Sequence, residues 1–241
     1  MKPSDEQRIN KKMIAAQERL RCCMCKTATA AQWHLEKAAS VVQKPKLLER
    51  VAPHLEGEPA QQYLAALPAW IEQTTRQDTV CGELWGKKHA TYPAQSEHLM
   101  AMLLRYNFSL RSYEKLARQT SKTLLETAAT PSSSADEIPP ESARRMTPEE
   151  ADYLQQRIDV ELLVLDQARA ELIAGHDDLV VKLVQKAVEK TTDPVEEVTT
   201  YARNALAKAA ENFDSRQGRR FATYAQWWIK TAIKEKKTWV K

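Results

Sequence analysis

Glycine is scarce in this chain, at five residues in 241. Alternating runs of β-branched residues are scarce too, and helix formers dominate nearly every window, so a sheet protein is excluded and an all-α fold is expected. No apolar run approaches the roughly 18 residues of a membrane span. The first residues, MKPSDEQRINKK, are too polar for a signal peptide. Four cysteines without an export signal then point to a reducing, cytoplasmic setting. Also missing are a nucleophile elbow, a phosphate loop and a carboxylate pair at catalytic spacing. The expectation is a protein that is not an enzyme and needs no cofactor.

What is present is apolar content of 43%, enough for one or two cores, and a mild formal charge of +4. That charge permits an anionic partner without requiring one. Its placement says more. Arg216, Arg219, Arg220, Lys230, Lys234, Lys236, Lys237 and Lys241 crowd the end of the chain.

One composition break stands out. In ETAATPSSSADEIPPESARR (126–145), serine, proline and charge replace the helical pattern. It divides the chain into a helical N-terminal domain (1–127), a flexible Pro/Ser linker (128–145) and a C-terminal domain (146–241). The C-terminal part punctuates itself. Thr147 as N-cap, Pro148 at N1 and Glu150 at N3 form a capping box, and Gly175 stops the helix they open. A second helix carries Leu179, Val180, Leu183 and Val184. Asp193, Pro194 and Glu196 repeat the N-cap, N1, N3 pattern for a third, which runs to about Phe213. Gly218 is the expected positive-φ residue of the following turn. In the N-terminal part, Pro45, Pro53, Pro59, Pro68 and Pro93 are expected to cut the chain into short helices.

The last helix holds ATYAQWWIKTAIK (222–234). At helical spacing, Tyr224, Trp227, Trp228, Thr231 and Lys234 or Glu235 share one stripe, while Ile229, Ala232 and Ile233, with Ala225, are placed to face inward. Two readings fit. The tryptophans pack in the core, as aromatics usually do, or they form a stacking platform for unpaired bases. Each base stacked on an aromatic contributes about 1–3 kcal/mol, and nearby cations meet the phosphates.

The longer run ENFDSRQGRRFATYAQWWIKTAIKE (211–235) closely resembles, without gaps, region 2.3–2.4 of the bacterial sigma-70 family of transcription initiation factors. MTPEEADYLQQRI (146–158) resembles the opening of that family's region 1.2. ARAELIAGHDDLVVKLVQKAV (168–188) resembles the run into region 2.1, so the likeness covers about 146–241. The resemblance implies a helical module that binds the clamp helices of bacterial RNA polymerase core, recognises the promoter minus-ten element and captures the non-template single strand. It implies that Trp227 and Trp228 wedge the upstream edge of the bubble, that Tyr224 stacks on a flipped adenine, and that Phe221 and Thr223 help form the pocket. Lys230, Thr231 and Lys234 would meet the upstream duplex, and Arg216, Arg219 and Arg220 the phosphates. A nucleoid-associated location would follow.

Departures from the family pattern carry implications of their own. Glu197, Thr200, Tyr201 and Ala202 stand where the family has an Asp-x-x-Gln-Glu-Gly-type segment that grips the polymerase, with Arg203 and Ala205 also unusual. An altered contact through Glu197, Thr200, Tyr201 and Arg203 is expected, or a regulator that binds single-stranded DNA or the clamp without directing initiation. His176 and Asp177 replace an Asn-Leu pair that holds a second flipped base. The parts that read the extended minus-ten and minus-thirty-five elements are not represented, which suggests the truncated plan of a phage or mobile-element factor. A helical partner protein with a buried Trp pair is the third possibility.

Residues 1–127 carry weaker signals. Cys22 and Cys25, with Cys23 between and His34 beyond, have the spacing of half a zinc site, but no second pair matches it and no metal is expected. FSLRSYEKLARQTSKTLLE (108–126) has a helix-turn-helix cadence with its turn near Thr120–Ser121, or is a plain amphipathic hairpin.

Overall fold

The computed structural model describes residues 1–52, 55, 57–106, 108–129, 146–189, 194–214, 216 and 218–236. The fold is all-α, with no strand among the described residues. Its helices are α1 (Pro3–Met24), α2 (Ala28–Gln43), α3 (Leu48–Val51), α4 (Gly57–Gly86), α5 (Tyr92–Arg105), α6 (Leu110–Ala129), α7 (Pro148–Ala174), α8 (Asp177–Val188), α9 (Val195–Asn212) and α10 (Phe221–Glu235). By packing, the chain forms two compact units: Ala16–Leu162, and Met1–Ala15 together with Leu163–Lys241. Helices α1 and α7 each contribute residues to both. The Pro/Ser segment lies outside the described residues from 130 to 145.

In the unit Ala16–Leu162, α4 packs against α2 and α5. Thr27 joins α1 to α2 through one hydroxyl, which donates to the Met24 carbonyl (2.8 Å) and accepts from the Ala30 amide (3.0 Å). The core is aromatic. Trp33, His34, Phe108 and Tyr113 pack with ring centroids 5.1–5.5 Å apart, and Trp70 lies 4.6 Å from Tyr106. His34 is fully buried. Its Nδ1–H donates to the Ala30 carbonyl (2.6 Å), and its Nε2 accepts from the Tyr113 hydroxyl (2.7 Å). Burial pushes its pKa down to about 4 and keeps the ring neutral.

Two sequence expectations fail in this unit. Pro93 does stand in the first turn of α5, but Pro68 makes no cut: α4 runs 30 residues through it. Pro68 is exposed while Leu67, Trp70, Thr74 and Cys81 are buried. The carbonyl that loses its partner therefore faces water, and packing on the other face carries the helix past the break. The turn near Thr120–Ser121 is not there either. Helix α6 is continuous from Leu110 to Ala129, so the segment is neither a helix-turn-helix nor a hairpin. Both residues are buried, and the Ser121 hydroxyl donates to Asp159 (2.8 Å), giving this turn-prone side chain a tertiary partner in place of a local one. Both ring nitrogens of His34 are occupied, and burial raises the Cys25 thiol to about 12. Among the described residues no group of three metal-ligating side chains occurs.

In the other unit, α10 packs on α9 and α8, and α8 on α9. Thr147 and Glu150 form the expected reciprocal pair at the start of α7, at 2.8 and 3.2 Å. That helix ends at Ala174, just before Gly175. Gly218 has φ +70. One cap differs: Pro194 is itself the N-cap of α9, not N1, and Asp193 lies outside the described residues.

Candidate nucleic-acid interface

The site is built on α10, whose inner face is apolar. Phe221, Ala225, Ile229 and Ala232 are each 0% exposed. These four recur at helical spacing and bind the helix to α8 and α9, which fixes the direction of everything on its other side. Ile233, expected inside, is half-buried.

On the outer side, Trp227 is 62% exposed. Trp228 is half-buried, with its ring edge-on to Trp227 at 5.5 Å and near-perpendicular to it at 88°. Tyr224 continues the row, with its centroid 6.2 Å from Trp228, and rests on Phe213 at 5.6 Å. Thr223, Lys230 and Lys234 are exposed and Thr231 is half-exposed. The row is thus neither sealed in the core nor fully free: Trp227 offers a ring to solvent, Trp228 braces it, and Tyr224 in turn lies against Trp228. The reading in which both tryptophans are buried is ruled out for Trp227.

Cations flank both ends of the row. Arg219 and Arg220 are exposed at the N-terminal side, and Lys230 and Lys234 lie along the helix; among the described residues none of the four is in an ion pair. Arg216 differs. Its guanidinium grips the Asp214 carboxylate at 3.0 and 2.7 Å, and its own amide bonds the same carboxylate at 3.0 Å. Here it fastens the turn before α10. Lys237 and Lys241 lie outside the described residues.

Phe221 is placed differently from the pocket role that the resemblance implies. It is fully buried, edge-on to His176 at 4.9 Å and to Phe213 at 5.1 Å, so it belongs to the core beneath the row and offers a base no face. His176 is buried with it, its Nδ1 2.8 Å from the Leu172 carbonyl. The residue that sequence reasoning missed is Glu6. Its carboxylate accepts the Phe221 backbone N–H at 2.7 Å, and its other oxygen lies 4.0 Å from His176 Nε2. The one local hint was negative: the first turn of α10 contains no acid and Arg220 cannot cap it.

The outer face of α9 carries Glu197, Thr200, Tyr201 and Arg203, opposite buried Val198, Ala202, Ala205 and Leu206. These side chains have partners within the unit. The Tyr201 hydroxyl donates to Glu197, Thr200 donates to the Glu196 carbonyl at 2.8 Å, and Arg203 lies 3.7 Å from Asp177.

Comparison with known proteins bears on this geometry. The family model for sigma-70 region 2 matches residues 172–238, which span the end of α7 through α10. Residues 172–238 are thus similar to a sigma-70 region 2. Over 68 residues the chain is also 37% identical to the RNA polymerase sigma factor RpoH of Rhizobium radiobacter. That match takes in 28% of this chain and only 22% of the relative's length. Residues 146–158, likened above to region 1.2, lie outside the family match. No described helix is long and apolar enough to cross a membrane.

Proposed function

We propose that this protein is a sigma-70-like initiation factor that binds bacterial RNA polymerase core and opens the promoter minus-ten element by capturing its non-template strand on α10. The observation that carries the reading is the exposed ring of Trp227 on a helix whose opposite face is wholly buried. Burying an aromatic of that size is the default, so leaving it in water calls for a partner with a flat face. Trp227 and Trp228, set at right angles, wedge the upstream edge of the bubble. Tyr224 takes the flipped adenine, with Thr223 beside it. Arg219, Arg220, Lys230, Thr231 and Lys234 meet the sugar-phosphate backbone. Extruding a base costs a few kcal/mol, which stacking and phosphate contacts offset. The protein makes and breaks no bond; catalysis stays with the polymerase.

Reconstitution with core polymerase tests this. Permanganate reactivity of promoter thymines should appear with the wild-type protein and vanish with the Trp227→Ala/Trp228→Ala variant, while co-elution with polymerase persists. Undiminished opening by the variant contradicts the mechanism.

The partnered side chains on α9 favour a second reading, a regulator that occupies the clamp or a single strand without directing initiation. Tyr201 is bonded to Glu197, and Arg203 faces Asp177. Polymerase binding would then have to displace contacts already made within the unit. Run-off transcription separates the two: specific initiation rejects the regulator.

A further inference from the structure

Helix α10 begins without a cap of its own. Its N-cap residue is Arg220, in extended conformation and making no side-chain cap bond, and its first turn has no acidic residue. Local side-chain caps occur at Thr27 before α2 and in the Thr147/Glu150 pair on α7, while α5, α8 and α9, like α10, have none. The deficit matters because Phe221 is fully buried: water cannot reach its N–H, and an orphaned buried donor is costly. Glu6, only 5% exposed, supplies the acceptor from 215 positions away. Its charge also sits at the positive end of the helix dipole.

Glu6 is itself held in place. Ile9 and Met13, one and two turns further along α1, are buried. On the rim, Arg8 and Lys12 both bind Glu171 of α7, at 3.0 and 3.2 Å. Met1 fills the space beside Gly175. The first fifteen residues therefore pack as part of the same unit as region 2, although the family match begins at residue 172.

We propose that Glu6 is a positioning residue for strand capture: by capping α10 it fixes where the helix starts and hence the direction in which Tyr224 and Trp227 point. The DNA-facing module is then completed by the N-terminal helix. This rests on the function proposed above. A buried contact could instead merely hold the unit together, and two substitutions in the full chain tell these apart. Glu6→Gln keeps an acceptor for the Phe221 amide and drops the charge; Glu6→Ala drops both.

The readouts are affinity for a single-stranded oligodeoxynucleotide and residue-resolved amide exchange. Glu6→Ala should weaken strand binding roughly tenfold, the scale of a lost N-cap. It should speed exchange at Phe221 and the first turn of α10 while protection in α8 and α9 stays at wild-type level. Glu6→Gln should recover most of both. Strand binding that Glu6→Ala leaves intact overturns the proposal. So does a loss of protection spread evenly over α8, α9 and α10 that Glu6→Gln fails to rescue. A wild-type protein that captures no single strand overturns the function itself, whereas capture insensitive to Glu6 overturns only the role of Glu6.

Discussion

Trp227 is 62% exposed and Ile229, two residues on, is fully buried. Trp227→Ala should therefore leave the denaturation midpoint close to wild type while removing a stacking face worth about 1–3 kcal/mol per base. Ile229→Ala should do the reverse, costing about 2–5 kcal/mol of stability. Denaturant titration and oligonucleotide binding, measured on both variants, separate the two roles. The outer row was legible because helical spacing alone divides Tyr224, Trp227 and Trp228 from Ala225, Ile229 and Ala232. Phe221 was not, since its burial depends on His176 and Phe213, which spacing within one helix does not reveal. A second residue-scale effect concerns pH. His34 is neutral in the fold, with its pKa depressed to about 4 by burial. Between that value and its ordinary one the unfolded chain binds a proton that the folded one does not. Stability is thus complete above about pH 6.5 and falls by about 3 kcal/mol as the pH drops towards 4. His34→Gln should flatten that interval in a pH series of denaturation midpoints.

At the scale of elements, local signals were read correctly where the cap is local. Thr147 and Glu150 lie three residues apart and bond each other, and Thr147→Ala should cost about 1 kcal/mol by thermal denaturation. Gly218 was equally plain: no atom lies within 4 Å of where a Cβ would stand, so Gly218→Ala meets only the strain of φ +70, about 1–2 kcal/mol. Non-local stabilisation stayed hidden. Helix α4 survives Pro68, and α6 survives Thr120 and Ser121, because neighbouring helices supply burial and partners that no window of sequence contains. The cap of α10 is the extreme case, its donor and acceptor being 215 residues apart.

At the scale of the molecule, the all-α class followed from composition, and the divide into Ala16–Leu162 and Met1–Ala15 with Leu163–Lys241 follows from packing. Charge placement supplies a whole-molecule test. If Arg219 and Arg220 meet phosphates, replacing both with Ala should lower the slope of log affinity against log salt by about 1.4 for a single strand. Equal slopes would place the phosphates elsewhere. The most direct measurement of the central claim is a tryptophan-emission titration of the full chain with a single-stranded minus-ten oligonucleotide, and with the same sequence as duplex. Saturable quenching by the single strand should appear in the wild-type protein, be much weaker with duplex, and disappear in Trp227→Ala along with most of the affinity. Equal binding by wild type and Trp227→Ala would contradict the account, because the exposed ring of α10 would then have no part in holding the strand.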